Sequence, residues 1–381
     1  MKLSNDQSAI REAARRFAER EIAPFAREWE RAGGAPRELY RKMGSAGLMG
    51  VCIDPDYGGA GADFVSYVLA IEEVARADCG VSNMMSANNS PVAVAIAQYG
   101  TEEQKRRWLP ALCSGDAMGA ILLTEPQAGS DAANILTRAQ RVSDAWSITG
   151  TKQFITGGAT ADVAMIVAST DPAAGKRGIT CFLVPTERAG YRVAAKEDKL
   201  GHRTNDTCQI ALEGLVASDD EVLGEPGIGL RIALENLSKG RIGVAAQSVG
   251  TAQAALDAAL DYAHQRETFG KRIIEHQAIA FQLADMATQV EVARQMYLHA
   301  AEIEASGESS IQAASMAKLF ASQMSERVCS DAIQIHGGYG FVTDYPVEKY
   351  YRDTRVLQIY EGTNEVQKIV IARTLRDGGG H

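Results

Sequence analysis

The segment Ala145-Trp-Ser-Ile-Thr-Gly-Thr-Lys-Gln-Phe-Ile-Thr-Gly-Gly158 decides how the chain divides. Aromatic and β-branched residues fill two short runs, 145–149 and 152–156. Gly150 separates them and Gly157-Gly158 ends the second, which is strand and turn chemistry. The runs 162–169, 179–185, 191–196 and 208–212 read the same way, with Gly175, Gly178 and Gly190 between them. No helical pattern intervenes. Short strands joined by glycine turns predict an antiparallel sheet or small barrel and exclude a parallel nucleotide-binding sheet.

Outward from this block the period changes to that of helices. Upstream, Ile10, Ala13, Ala14, Phe17 and Ile22 carry three-four spacing, as do 64–79 and 91–99, and Asp54-Pro-Asp-Tyr-Gly-Gly-Ala-Gly61 is a loop. Downstream, 275–305 contains neither Gly nor Pro, and Ile279, Leu283, Met286 and Val290 form the stripe of a bundle seam. Segments 228–264, 275–305, 310–336 and 346–376 predict four helices. The expected fold is α+β and multidomain: an all-α N-terminal domain (1–118), a central antiparallel, barrel-like β domain (119–225) and a C-terminal four-helix bundle (226–381). There is no internal repeat, and only the glycine tail 378–380 is of low complexity.

The 381 residues are 46% hydrophobic and 23% charged, ordinary for a globular chain with a large core. A net charge of −9 argues against nucleic acid or an anionic membrane surface as the main partner. No apolar run approaches the roughly 20 residues that span a bilayer. Residues 1–30 mix Asp6, Glu12, Glu19 and Glu21 with basic residues, unlike a secretory or transit signal. The expected location is the cytoplasm, or an organelle in mature form. Six dispersed cysteines, with no C-x-x-C pair and no ligand spacing, read as small buried hydrophobes, without disulfide, metal or thiol nucleophile.

Five places could carry chemistry. Leu122-Leu-Thr-Glu-Pro-Gln-Ala-Gly-Ser-Asp131 offers the hydroxyls of Thr124 and Ser130 and a nest of amides at Gly129, or is a plain strand exit. Phe154 and Thr156, two apart on one strand face, could flank a flat ligand or belong to a half-buried hairpin. Arg266-Glu-Thr-Phe-Gly270, followed by Glu275-His-Gln277, fits phosphate contact and fits helix capping. Arg241, in Lys239-Gly-Arg-Ile-Gly243, has room beside it for a substrate or a packed helix. Finally, Gln334-Ile-His-Gly-Gly-Tyr-Gly-Phe341 and Ile359-Tyr-Glu-Gly-Thr-Asn-Glu365 set a carboxylate, Glu361, in a break between helical patterns, with Gly362 permitting close backbone approach. A general base with an adjacent oxyanion donor and a surface C-cap turn are both consistent with that segment.

Together these pieces resemble the acyl-CoA dehydrogenase family over nearly the whole chain. Leu123 through Asp131 is similar to one family signature. Gln334-x-x-Gly-Gly-x-Gly-Phe341, with Asp344, Lys349 and Asp353, is similar to a second. Tyr57–Gly61, 99–104, Arg266-x-x-Phe-Gly270, 350–353 and 359–363 add smaller matches in the same order.

The resemblance implies one FAD per subunit, an acyl-CoA substrate, electron-transferring flavoprotein as partner, and a homotetramer built as a dimer of dimers. It places Leu123, Thr124, Ser130, Phe154 and Thr156 at the flavin and its ribityl chain. Arg266, Thr268, Phe269, Gln277, Gln334, Ile335, Gly337 and Gly338 would hold the pyrophosphate and adenosine, some across an interface. Thr363 and Glu365 would sit at the FAD as well. Ser130, Arg241, Tyr360 and Gly362 fall to the substrate, and Glu361 to the base that takes the α-proton. Some relatives carry Trp at Phe154 and the base at Gly240; here Gly240 cannot serve and Glu361 is present. The implied reaction is α,β-dehydrogenation of a short-chain or short branched-chain acyl-CoA. A flavin monooxygenase and an acyl-CoA oxidase on the same fold are the alternatives. The depth of the acyl pocket is expected to depend on 88–97.

Overall fold

The computed structural model describes residues 2–377, so the glycine tail lies outside the described residues. The N-terminal block holds helices α1 (Asn5–Glu21), α2 (Ala26–Ala32), α3 (Arg37–Ser45), α4 (Phe64–Ala77), α5 (Cys79–Ala87), α6 (Val94–Tyr99) and α7 (Glu102–Ser114). Local signals start them. Ser4 and Gln7 form a reciprocal cap on α1, and Thr101 and Gln104 do the same for α7, so the stretch 99–104 is a helix start. Residues 88–93 join α5 to α6 as a π-helical turn. Asn88 and Asn89 fix it by donating to the carbonyls of Met49, Leu112, Leu48 and Met85.

The middle block contributes β1 (Gly119–Leu122), β2 (Arg138–Val142), β3 (Ala145–Thr156), β4 (Val163–Ser169), β5 (Ile179–Pro185), β6 (Tyr191–Lys196) and β7 (Thr207–Ser218). They form one seven-stranded sheet, β2 to β3 to β7 to β6 being antiparallel throughout. Within this expected architecture the sheet is not purely antiparallel: β1 runs parallel to β4, and β2 meets β4 in parallel at Ser169. β1 lies just after a helix and β2 is polar (RAQRV), so neither shows the β-rich run that marks the other strands. The two expected runs 145–149 and 152–156 are one strand, because Gly150 lies in the ladder, where a side chain would strike Thr137.

The C-terminal block holds α8 (Gly229–Gln265), a two-stranded ribbon of β8 (Glu267–Thr268) and β9 (Lys271–Arg272), α9 (Gln277–Ala305), α10 (Ile311–His336), α11 (Val347–Thr354) and α12 (Asn364–Arg376). The segment expected as one helix, 346–376, is two, interrupted by 359–363. At 37 residues α8 is about 55 Å long. Its start packs on the carbonyl edge of Thr180 and its later turns on α4, α9 and α10. Residues of α1, α4, α8, α9 and α10 share one apolar core, so both helical blocks pack as a single body around α8. All six cysteines are free and five are buried. Among the described residues no helix is long and apolar enough to cross a membrane.

Candidate active site

The break between α11 and α12 is where the chain spends conformational strain. Glu361 adopts φ 55° and Gly362 φ 84°, so a non-glycine residue sits in the left-handed region, at a cost of about 1–3 kcal/mol that the surroundings must offset. Three side chains hold it. Gln367 Nε2 donates to the Gly362 carbonyl at 2.7 Å and to that of Glu361 at 3.3 Å. Lys318 Nζ donates to the same Gly362 carbonyl at 2.9 Å. Tyr360 is tied to α8 by its hydroxyl, which donates to Gln247 Oε1 at 2.6 Å. Thr363 caps α12 by accepting from Val366 N. The Glu361-Gly362 turn is therefore an internal, braced loop and not a surface cap.

The loop opens onto a cavity of about 200 Å3 between the sheet and α8. Of the expected residues, Leu123, Thr124, Ser130, Phe154, Thr156, Arg241, Tyr360, Glu361 and Gly362 all line it. Phe154 reaches it through a β-bulge: the β3–β7 register shifts between Lys152 and Ile155, Phe154 takes φ 57°, and its ring stays 63% exposed. Beneath it, Gln153 N donates to Thr124 O at 2.8 Å, fastening the 123–130 loop to the strand. Glu125 anchors that loop further, accepting from buried Lys152 at 2.8 Å and from the amides of Leu136 and Thr137. Burial pushes the Glu125 carboxyl up, but Lys152 and these donors outweigh it and bring it down to about 2.

Glu361 is the reverse case. Burial raises its carboxyl to about 7, against the pull of Arg241 and Lys318. Its Oε2 is shut off from solvent with no hydrogen-bond partner, and so is Arg241 Nε. Directly opposite lies Gly240, where a Cβ would stand 2.9 Å from Oε2. A side chain at position 240 would press on the carboxylate and force it to shift. Among the described residues the Glu361 N–H meets no backbone carbonyl. A carboxylate with raised proton affinity, beside a free amide and facing a cavity of mixed polar and apolar lining, can accept a proton from a carbon acid while the amide steadies the oxygen that gains charge.

The remaining expected residues are not in this cavity. Arg266, Thr268, Phe269 and Gln277 lie on the β8–β9 ribbon and the start of α9, while Gln334, Ile335, Gly337 and Gly338 end α10. One end of the bundle brings the two groups near each other: Tyr262, one turn before Arg266, stacks on His336 at 4.3 Å. Phe269 is 96% exposed and Phe341 87%. The Ile335 side chain is buried in the core, so only its backbone is available there. Glu365 is exposed on the first turn of α12.

Sequence reasoning missed Asn83, Ser86, Ala87 and Gln247, which also line the cavity. Of the expected depth-setting segment 88–97 only Pro91 does; Asn88 and Asn89 turn instead to backbone carbonyls. Small polar residues on α5 give no periodic signal that would have marked them. Lys318 was also missed, since an isolated lysine on a long helix reads as solvated.

A helical body built from both ends of the chain, a seven-stranded sheet beside it and a cavity between them bordered by a carboxylate loop define the class of scaffold. The chain belongs to the acyl-CoA dehydrogenase family, which acts on CH–CH bonds. It matches that family's N-terminal domain over 4–116, its middle domain over 120–215 and its C-terminal domain over 227–376. It is 44% identical to an acyl-CoA dehydrogenase of Bacillus subtilis over 99% of this chain and 100% of that one. It is 41% identical to the human mitochondrial short-chain specific acyl-CoA dehydrogenase, over 98% of this chain and 90% of the relative. The solved butyryl-CoA dehydrogenase of Megasphaera elsdenii superposes with a TM-score of 0.96 at 40% identity, over 99% of each chain.

Proposed function

We propose that the protein dehydrogenates a short-chain or short branched-chain acyl-CoA to the trans-2-enoyl-CoA, with Glu361 taking the α-proton. The observation that carries this is the Glu361 carboxylate itself: half-buried, with Oε2 shut off from solvent and unpartnered, raised in proton affinity, and faced by a glycine.

The residues around the cavity fit a flavin. Phe154 offers an exposed aromatic face held by a strained bulge, Leu123 an apolar edge, and Thr124, Ser130 and Thr156 hydroxyls at the rim. Leu123, Thr124, Ser130, Phe154 and Thr156 would hold the flavin ring and ribityl chain. Arg266, Thr268, Phe269, Gln277 and the 334–338 turn would hold the pyrophosphate and adenosine of FAD on a neighbouring copy, which is supported by the exposed Phe269 beside them. When bound, the flavin supplies the acceptor for the hydride that leaves the β-carbon.

The chain's own part is proton chemistry. The thioester oxygen accepts from the Glu361 N–H, which steadies the enolate character that grows as the α-proton leaves. The carboxylate receives that proton, and its matched affinity lowers the barrier to transfer. Gln247, through Tyr360, and Gln367 fix the loop so that base and α-carbon meet in line. Arg241, which lines the same cavity, would contact the substrate.

Electron-transferring flavoprotein as acceptor, a homotetramer, a cytoplasmic location and domains at 1–118, 119–225 and 226–381 belong to the same reading.

Anaerobic addition of butyryl-CoA or isobutyryl-CoA is expected to bleach the flavin near stoichiometrically, and octanoyl-CoA to do so poorly. Flavin bound but bleached by none of them would overturn the short-chain reading. Because Glu361 must be ionised to act, kcat/KM should climb as pH rises through about 7 and level off above it. A flat profile across neutrality would count against Glu361 as the base.

A further inference from the structure

We propose that Lys318 is a positioning residue for this reaction, its ammonium bracing the Glu361-Gly362 turn from beneath and favouring the ionised form of the Glu361 carboxylate. The inference rests on the reading of Glu361 as the base and extends it.

Lys318 sits on α10 and is 0% exposed, among Ala314, Ala317, Ala321 and Ser322. It does not line the cavity. Its hydrogen bonds end on the base-bearing loop and on the first residue of α12: Nζ donates to Gly362 O at 2.9 Å and to Asn364 Oδ1 at 3.0 Å. Ser322 Oγ donates to the same amide oxygen at 3.2 Å, which orients Asn364 toward the lysine. Among the described ion pairs, none joins Lys318 to a carboxylate in contact. A buried ammonium without a contacting anion is costly, and a glutamine or hydroxyl could brace a carbonyl more cheaply. The charge therefore needs a reason, and Glu361 supplies one.

Charged and titratable groups surround Glu361 from four elements. Arg241 approaches from α8, Lys318 from α10, and Glu365 from the first turn of α12, while the Tyr67 hydroxyl faces Glu361 from α4. Burial pushes Lys318 down to about 7, with Arg241 adding to this and Glu361 and Glu365 opposing it. Burial draws both groups toward their neutral forms, and each charge favours the ionised form of the other. When Glu361 ionises, it holds Lys318 protonated, and the lysine in turn favours the carboxylate. Gln367 braces the same Gly362 carbonyl without a charge, and so provides an internal control.

The experiment is the rate of anaerobic flavin reduction by butyryl-CoA against pH, measured on the holoenzyme and on Lys318→Met, Lys318→Gln, Lys318→Arg and Gln367→Leu. Loss of a nearby opposite charge should raise the ascending limb by about one pH unit or more in Lys318→Met. Lys318→Gln, which keeps a hydrogen-bond donor, should show the same displacement even if the methionine variant fails to fold. Lys318→Arg should keep the limb where it is. Gln367→Leu should slow the plateau and leave the limb in place. A slower rate with an unmoved limb in both Lys318→Met and Lys318→Gln would reduce the lysine to a structural clamp and overturn the inference. Glu361→Gln in the same assay separates the two readings. If it is active, the base assignment fails; if it is inactive while the lysine variants keep the wild-type limb, only the role of Lys318 fails.

Discussion

Glu361→Gln is expected to bind flavin, keep the fold and lose nearly all reduction of that flavin by acyl-CoA. Glutamine has the same outline, so the loop, its braces from Gln367 and Lys318, and the contact with Gly240 remain. Only the capacity to accept a proton disappears. Removing a positioned general base costs on the order of 100-fold or more, and no other acid or base among the cavity residues can replace it: Arg241 is cationic, and the Tyr360 hydroxyl is pushed far up by burial and already donates to Gln247. Retention of more than a few per cent of the rate would sink the assignment.

The same substitution has a stability signature. The folded carboxyl has its affinity raised above the unfolded value, so the native state binds more protons between about 4.5 and 7. Stability contributed by the protonated form is therefore lost as pH rises through that window. Discounted for the residue's partial exposure, the penalty at alkaline pH is on the order of 1–3 kcal/mol. Glu361→Gln should escape it, so its Tm relative to the wild type should improve from acid to alkaline pH. A buried base is thus held against the preference of the fold, as expected where activity and stability compete.

Much of this was legible in the sequence because the relevant signals are local. Glycine punctuation marked the sheet, and the stripe of Ile279, Leu283, Met286 and Val290 marked the bundle, with the last three buried and Ile279 partly buried against the same core. Glu361 stood out through its helix break. What was not legible depends on contacts between distant segments. β1 is only four residues long and takes its identity from pairing with β4. Phe154 lines the cavity because of a bulge against β7, which alternation alone does not reveal. Asn88 and Asn89 sit in the segment expected to set pocket depth, yet their amides are used up on carbonyls of α5, α7 and 48–49. Lys318 belongs to the same class: a single charge on a helix of small residues has no sequence mark that says it faces another helix's entry loop.

The second large effect is predicted away from the cavity, at Lys349. Its ammonium lies 2.7 Å from Asp78 Oδ2 and 2.5 Å from Asp353 Oδ2, with all three side chains buried. Asp78 also accepts from Thr204 Oγ1 at 2.6 Å, and Asp353 from His202 N at 2.6 Å. Asp78 ends α4, Lys349 and Asp353 lie on α11, and His202 and Thr204 come from the loop between β6 and β7. One cation thus joins the three blocks of the chain. His202, pushed down to about 4 by burial and so neutral near pH 7, meets the Tyr360 ring edge-on at 6.0 Å, which places this cluster under the base loop.

Lys349→Met keeps the volume and leaves two buried carboxylates facing each other. Removing one partner of a buried pair costs about 3–5 kcal/mol, and here two anions are orphaned. Tm should fall by on the order of 10 °C. The pH dependence should give the cause away. In the wild type, Lys349 and His202 N–H hold Asp353 below its ordinary value against the effect of burial, so that contribution is lost as pH falls. In the variant the Asp353 carboxyl loses that hold while burial still pushes it up, so lowering the pH neutralises it and the deficit relative to wild type should shrink. Adding Asp353→Asn to Lys349→Met should recover part of the Tm at neutral pH, because one of the two repelling charges is gone. A methionine variant as stable as the wild type, or a deficit that is the same at every pH, would mean that the cluster is packing filler and not the electrostatic joint between the sheet and the two helical blocks.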